Sequence, residues 1–188
     1  MWPPWLAALL PLVALVLPPS PIVRADSIHA GEYEVKAAFL LNFARFAEWP
    51  PAAFPTPDAP IVFGVLGDDP FGPVLDATVQ GKRVGGRSIV VRRLRRPEDA
   101  GGCHLVFIAA SERAHMGPLL RRVSRPGVLT VGETDRFAEQ GGVIQLTTEG
   151  DRGRLTINTQ AAARAEVRLS AKILSMARLV PRAGEGRP

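Results

Sequence analysis

Cysteine is almost absent from this chain of 188 residues, in which Cys103 is the only one. A single cysteine cannot form an intramolecular disulfide, so the chain is not a small protein stabilised by disulfides. Aromatic residues are few, at 6%, but 46% of the residues are hydrophobic and only 22% are charged. This balance excludes an intrinsically disordered chain and indicates one compact globular domain.

Long hydrophobic runs are also missing. The apolar stretch Leu6–Leu17 has 12 residues, whereas a helix that spans a bilayer needs about 20. Its length and the Val23-Arg24-Ala25 sequence that follows are typical of a secretory signal peptide over residues 1–25. We expect export, cleavage after Ala25, a mobile stretch at 26–31 and a disordered tail at 181–188. No Lys or Arg precedes the stretch, so an uncleaved anchor is the alternative.

Acidic residues are missing from residues 82–96. This segment carries seven basic residues, namely Lys82, Arg83, Arg87, Arg92, Arg93, Arg95 and Arg96. Such a cluster fits an anionic partner, or an edge strand whose charges deter pairing with other sheets, and we favour the edge strand. Only three of the 23 Lys and Arg residues are lysines. This bias is typical of a GC-rich genome, so the pI near 10.3 does not predict nucleic-acid binding.

Motifs for catalysis and for cofactors are missing as well. The chain has no G-x-S-x-G nucleophile turn, and Gly64, Gly67 and Gly72 have neither dinucleotide-binding nor P-loop spacing. The three histidines lack the spacing of metal ligands. We therefore predict that the protein is not an enzyme and uses no metal or cofactor.

Short apolar runs alternate with helical segments along most of the chain. Runs of four to seven apolar residues predict strands, and apolar residues three or four apart predict helices. The alternation indicates an α/β fold over residues 32–180, with a largely parallel sheet between helical layers. The predicted strands are Ile61–Leu66, Ser88–Leu94, Leu105–Ala109, Val128–Val131 and the hairpin Val143–Thr148 and Arg154–Asn158. The predicted helices are Glu32–Glu48, Pro73–Val79, Arg113–Val123, Asp135–Gln140 and a closing helix, Gln160–Leu179.

Polar residues follow three of the predicted parallel strands. Ligands of open α/β sheets bind beyond the carboxyl ends of the strands, and here those ends carry Asp68, Asp69, Ser111, Glu133 and Thr134. These five residues form our candidate cleft for a small polar ligand. The alternative, which we favour, is that they only cap the helices that follow.

Five segments in order make the chain similar to the YfiR family of exported bacterial proteins, over about residues 32–180. They are KAAFLLNFARFAEWP (36–50), VLGDDPFG (65–72), CHLVFIAAS (103–111), GVLTVGETDRFAEQGGVIQL (127–146) and LTINTQAAARAEVRLSAKILSMARLV (155–180). The resemblance implies a periplasmic α/β domain that binds the sensory domain of an inner-membrane diguanylate cyclase and holds the cyclase inactive. Release of this repression would raise cyclic di-GMP and promote biofilm formation.

The resemblance also implies a surface for a protein partner. The first predicted helix is apolar almost all round, so it is either deeply buried or covered by a partner, and it would permit self-association. The candidate partner surface therefore consists of Phe39, Phe43 and Trp49, in and directly after this helix. It also includes Arg164 and Arg168 on one face of the predicted closing helix.

Disulfides modulate the family's best-understood regulator, and the resemblance implies that Cys103 stands where one of its half-cystines would fall. By the register of VLGDDPFG, Gly64 occupies its partner's position, and the second pair has no cysteine at all. The resemblance therefore implies the family's fold without its redox switch. We expect Cys103 to be an inert buried residue.

Two functions remain open at this point. The first is a non-enzymatic repressor that binds its membrane partner more tightly in the inactive form. The second is a periplasmic module that binds a small ligand at the predicted cleft.

Overall fold

A computed structural model describes residues 24–149 and 152–181, with side chains for 31–148 and 153–181. The helices within these ranges are α1 (Arg24–Phe46), α2 (Pro73–Val79), α3 (Met116–Val123), α4 (Thr159–Arg164) and α5 (Ala171–Ser175). The strands are β1 (Ala47–Glu48), β2 (Ile61–Leu66), β3 (Arg83–Val84), β4 (Arg87–Leu94), β5 (Leu105–Ile108), β6 (Leu129–Gly132), β7 (Ile144–Glu149), β8 (Arg152–Ile157), β9 (Arg168–Leu169) and β10 (Arg178–Leu179). The signal peptide expected at 1–25 and the tail expected at 181–188 fall mostly outside the described residues.

The main sheet has eight strands in the order β10-β8-β7-β6-β5-β2-β4-β3. Neighbours from β4 to β7 run parallel, whereas β7 and β8 form an antiparallel hairpin. The predicted α/β class, with a largely parallel sheet and a C-terminal hairpin, is confirmed. A separate two-stranded ribbon joins β1 to β9.

Helices cover both faces of the sheet because strands such as β5 are buried on both sides. On one face α1, α2, α4 and α5 pack over Phe63, Phe107 and Ile144. On the other face α3 packs over Val106 and Ile108. The result is the layered α/β/α arrangement that the alternating sequence predicts.

The first helix extends further towards the N-terminus than the apolar pattern predicts. It begins at Arg24, so it includes residues 26–31, whose mobility stays a prediction. Its side chains Ala37, Leu40 and Phe43 are buried against the sheet. Among the described residues, no helix is both long and apolar enough to cross a membrane.

The predicted closing helix Gln160–Leu179 is wrong. Helix α4 ends at Arg164, because Glu166 adopts a left-handed φ of 55° that a helix cannot continue. The N–H of Glu166 donates to the carbonyl of Ala163 and that of Val167 to Ala162, which is a Schellman ending. The chain then forms β9, α5 and β10 in place of one helix.

Two other predicted helices also differ from the structure. Residues 110–115 form a 3₁₀ helix, so the α-helix predicted from Arg113 begins only at Met116. Residues 135–140 form hydrogen-bonded turns instead of a helix. Arg136 has a φ of 59° there, and this left-handed conformation interrupts helical geometry.

Candidate functional site

The loops at the carboxyl ends of β2, β5 and β6 lie side by side, as the parallel order predicts. The Asp68 N–H donates to Ser111 Oγ at 2.9 Å, which joins the first two loops. The Ala110 N–H donates to Glu133 Oε1 at 3.1 Å, which joins the second and third. Gly67, with a φ of 93°, permits this close approach, because a Cβ there would lie 2.6 Å from Ser111 Oγ.

Glu133 is committed to internal contacts. Its Oε2 accepts hydrogen bonds from Lys36 Nζ at 2.6 Å and from the Tyr33 hydroxyl at 3.1 Å. The side chains of Lys36 and Glu133 are only 4% and 6% exposed. Glu32 is a second ion partner of Lys36, also at 2.6 Å. The predicted ligand carboxylate is therefore the centre of a buried ionic cluster that joins α1 to the sheet.

The ionic cluster alters the titration of its members. Burial alone would lower the pKa of Lys36, but its hydrogen bonds to Glu133 and Glu32 outweigh burial and raise that pKa. Burial and the neighbouring charge of Glu133 raise the pKa of Tyr33 to about 12. Lys36 therefore stays protonated and Tyr33 stays a neutral donor across the physiological pH range.

The remaining members of the predicted cleft have different surroundings. Asp69 accepts from the Phe71 N–H and from Arg93 Nε at 2.9 Å. Arg93 also pairs with Asp76, and this hydrogen bond lowers the pKa of the Asp76 carboxyl. Thr134 is buried, and its Oγ1 has no hydrogen-bond partner among the described residues. The structure gathers all five predicted residues at one edge but engages most of their polar atoms internally.

A surface groove lies beside the ribbon of β1 and β9. It has a volume of about 540 Å³, and its lining is Glu48, Trp49, Pro50, Pro51, Ala163, Glu166, Val167 and Arg168. Pro50 and Pro51 follow β1 and turn the chain, while the Schellman ending of α4 brings Val167 and Arg168 to the opposite wall. The Arg168 and Glu48 side chains are 88% and 78% exposed.

The residues of the candidate partner surface do not all lie together in the structure. Trp49 and Arg168 line the groove together, but Arg164 lines a smaller pocket of about 140 Å³ with Arg125. The Phe39 ring is half-buried and packs against Gly153. The prediction that Phe43 belongs to this surface is wrong, because its side chain is only 1% exposed and lies in the core.

His104 is a residue whose role the sequence did not indicate. Its Nδ1 accepts the Val62 N–H at 3.1 Å, and Nε2 lies 3.1 Å from the Ala53 carbonyl oxygen. Since Nδ1 accepts, Nε2 carries the proton and the ring is neutral. Phe54 stacks on the ring at 4.4 Å, and Trp49 Nε1–H donates to the His104 carbonyl at 3.0 Å. Burial lowers the pKa of His104. This histidine anchors the inner side of the groove's tryptophan.

Cys103 is buried and faces Gly64 across the sheet. A Cβ built on Gly64 would lie 3.0 Å from Cys103 Sγ, which supports the register that pairs the two positions. Burial raises the pKa of the Cys103 thiol, so the thiolate is disfavoured. Among the residues with described side chains, no group of His, Cys, Asp or Glu could hold a metal ion.

A family model described as YfiR/HmsC-like matches residues 33–178, which is most of the chain. The chain belongs to the YfiR/HmsC-like family. Members of this family regulate diguanylate cyclases in the periplasm, and the family is regulatory rather than catalytic. The matched range contains the Lys36–Glu133 ion pair, the groove, His104 and Cys103.

Two solved structures that are similar to this YfiR/HmsC-like chain are distant from it in sequence. A conserved domain protein from Vibrio cholerae O1 biovar El Tor aligns with a TM-score of 0.53 and 10% identity, and it shares the fold. The alignment covers 79% of this chain and 60% of that protein. An ABC domain in complex with L-Trp from Streptococcus pneumonia aligns with a TM-score of 0.45 and 10% identity. That alignment covers 64% of this chain and 55% of the ABC domain chain. No curated protein matches the chain.

Proposed function

We propose that this protein is a non-enzymatic periplasmic repressor that binds the periplasmic sensory domain of an inner-membrane diguanylate cyclase and thereby lowers cyclic di-GMP. The observation that carries the proposal is the family match over residues 33–178. The sheet edge adds support, since the carboxylates of Asp69 and Glu133 are engaged in structural contacts.

The groove beside β1 and β9 is the surface we assign to the partner. Its Trp49 presents an aromatic side chain, and the prolines give it rigid walls. Arg168 provides an exposed guanidinium at the rim, where it forms a solvent-exposed ion pair with Glu48 at 4.0 Å that a partner carboxylate can replace. Tryptophan and arginine are the residues that most often dominate binding energy at protein interfaces. The groove therefore combines a rigid aromatic anchor with a charge that can choose an acidic partner group.

Repression would act through unequal affinity for two states of the cyclase. A ligand shifts a conformational equilibrium only by its difference in affinity for the two forms. The groove is pre-formed by the β1–β9 ribbon and by the hydrogen bond from Trp49 to the His104 carbonyl. A rigid surface of this kind can bind the inactive sensory domain and reject the active one.

The test is cyclic di-GMP in the native host after deletion of this gene, with the partner cyclase gene first intact and then removed. We expect a rise that disappears when the cyclase is absent. Complementation with wild-type protein should restore the low level, whereas Trp49→Ala and Arg168→Glu should not. Arg121→Glu is the matched control, because Arg121 is exposed on α3 across the sheet from the groove. No change on deletion in either background would contradict the proposal.

The alternative is a small-ligand binding module. The groove volume of about 540 Å³ lies within the roughly 300–1,000 Å³ of small-molecule sites. A thermal-shift screen with periplasmic metabolites distinguishes the two candidate places for a ligand. A shift that is lost in Trp49→Ala would favour the groove, and one that is lost in Asp68→Ala would favour the predicted cleft.

A further inference from the structure

The outer edge of strand β4 is bare along most of its length. On one side Ile89–Leu94 pairs in parallel with β2. On the other side β3 pairs only with Arg87 and Ser88, and β3 is the last strand of the sheet. Within the described part of the chain, the six residues from Ile89 to Leu94 therefore have no strand on this outer side. At about 3.3 Å per residue, this edge is about 20 Å long.

The edge is bare because glycines restrict β3 to two residues. Gly85 and Gly86 have φ values of 56° and 81°, the geometry of a two-residue hairpin turn. Gly81 has a φ of 68° and turns the chain away just before β3 begins. β4 itself contains no proline, and its register with β2 is unbroken. It therefore lacks the bulge or proline that usually blocks an edge.

The basic side chains around this edge are mostly without carboxylate partners. Two of the seven basic residues of segment 82–96 form ion pairs with described carboxylates. Arg93 pairs with Asp69 and Asp76, and Arg96 pairs with Asp99. Arg92 donates to the carbonyl oxygens of Asp99 and Gly101 and to Cys103 Sγ, none of which carries a carboxylate charge. The members of the cluster that have no carboxylate partner within this set are Lys82, Arg83, Arg87, Arg92 and Arg95. The edge therefore carries uncompensated positive charge.

The edge also offers apolar contact. Val90 is 43% exposed on one face of β4, whereas Ile89 and Val91 are half-buried against the core on the other. An added strand could pack a β-branched side chain against Val90 while its backbone continues the sheet. Backbone hydrogen bonds would supply affinity, and the flanking charges would supply selectivity.

We propose that the bare edge of β4 takes up an extended acidic segment of a partner protein as a ninth strand of the sheet. A second copy of this chain fits poorly. In antiparallel self-pairing centred on Arg92, which uses only the free residues Ile89–Leu94 of both copies, Arg92 of each copy would face Arg92 of the other, and facing like charges are destabilising. The arginines thus prevent self-pairing and select a segment in which Asp or Glu alternates with β-branched residues. This surface is separate from the groove and from the proposed cyclase.

The test uses protein recovered from the periplasm and an eight-residue fluorescent peptide in which glutamate alternates with valine and threonine. Binding is measured by anisotropy at low ionic strength. We expect saturable binding that weakens at least tenfold when two consecutive central residues of the peptide are N-methylated. This change preserves the charge of the peptide but removes a backbone donor from each of its edges.

Protein variants provide the second arm of the test. Arg83→Glu combined with Arg95→Glu should weaken binding at least tenfold. The matched control, Arg113→Glu combined with Arg121→Glu, changes the net charge equally at exposed sites on other elements and should bind as wild type. Equal binding of the methylated peptide, equal loss in both double variants, or no binding at all would overturn the proposal. A wild-type dimer that the peptide dissociates would overturn the assignment of the occupant.

Discussion

At the scale of single residues, His104 holds together parts of the chain that are distant in sequence. Its ring nitrogens bond to Val62 and Ala53, which lie 42 and 51 residues away. Burial lowers its pKa, and the charged group that also lowers this pKa is Arg87, whose Cζ lies 3.7 Å from the centre of the stacked Phe54 ring. The other described groups around the ring, including Trp49 and the 3₁₀ turn at 51–53, carry no charge. The pocket therefore favours the neutral imidazole.

The first prediction concerns the pH dependence of stability. Since folding lowers the pKa of His104, the unfolded chain binds more protons once the pH falls below about 6.5. The free energy of unfolding should therefore decrease as the pH falls from 7 to 5. In His104→Asn, which we expect to be less stable at pH 7, the part of this decrease that is due to His104 should be absent. Urea denaturation of both proteins at several pH values measures the difference, and parallel curves would contradict the prediction.

At the scale of elements, the end of α4 determines the path of residues 167–181. The Schellman hydrogen bonds at Glu166 and Val167 direct the chain into β9, which pairs with β1. The apolar spacing in this segment is helical, but one left-handed residue outweighs it. Because Glu166 is not glycine, the sequence contains no local signal for this ending.

The second prediction follows from the φ of 55° at Glu166. A left-handed conformation costs an ordinary residue about 1–2 kcal/mol, and glycine avoids most of this cost. Glu166→Gly should therefore raise the free energy of unfolding by about 0.5–1 kcal/mol. Glu166→Val should lower it, because a β-branched residue tolerates this region poorly. Urea denaturation tests both variants, and a less stable glycine variant would show that the Glu166 side chain stabilises the turn.

The third prediction concerns Gly64 in β2 and Cys103, which precedes β5. A Cβ at position 64 would lie 3.0 Å from Cys103 Sγ, which is about the separation that a disulfide requires. Gly64→Cys should therefore form a disulfide on oxidation, detectable by mass and by gel mobility. Closure of the loop between positions 64 and 103 should raise the free energy of unfolding by up to about 4 kcal/mol relative to the reduced form.

Gly64→Ser is the control for the packing cost of Gly64→Cys. A Cβ there also lies 2.7 Å from Leu94 Cδ1, so Leu94 must shift, and crowding of a packed core costs about 1–3 kcal/mol. Reduced Gly64→Cys and Gly64→Ser should be destabilised alike. Failure of the thiols to pair would contradict the placement of Gly64 opposite Cys103.

At the scale of the whole molecule, the ionic cluster around Lys36 joins the helical layer to the sheet. Lys36 lies on α1, and Glu133 follows β6, 97 residues later. The same carboxylate binds the Ala110 N–H of the loop after β5. One side chain thereby joins three elements at the edge where ligands of related folds bind.

The fourth prediction is the energetic weight of this cluster. Removal of one partner from a buried ion pair costs about 3–5 kcal/mol, because the other charge is left uncompensated. Glu133→Leu should lower the free energy of unfolding by an amount near the low end of this range, since Glu32 still pairs with Lys36. Lys36→Met combined with Glu133→Leu should cost less than the sum of the two single changes.

Equilibrium unfolding in urea tests the fourth prediction. Glu139→Ala is the control, because it removes an exposed ion pair with Arg136, and such pairs contribute about 0–1 kcal/mol. Additive losses in the double variant would mean that Lys36 and Glu133 act independently, against the prediction.

Local patterns predicted much of the architecture because each depends on neighbouring residues. The predicted bounds of Ile61–Leu66 and Pro73–Val79 are those of β2 and α2, where an apolar run and a proline mark the element. The parallel order also placed Asp68, Ser111 and Glu133 at one edge. The pattern could not show that Lys36 neutralises Glu133, because α1 reaches that edge only through tertiary packing.

The sequence by itself determined the α/β class, the strand positions, the family and the single unpaired cysteine, because periodicity, composition and motifs are local properties. Only the tertiary structure decided which polar and aromatic groups remain available at the surface. It buried Phe43, enclosed His104, brought Trp49 beside Arg168 and left the edge of β4 bare. These outcomes depend on contacts between segments that are far apart in the chain, and no local pattern encodes such contacts.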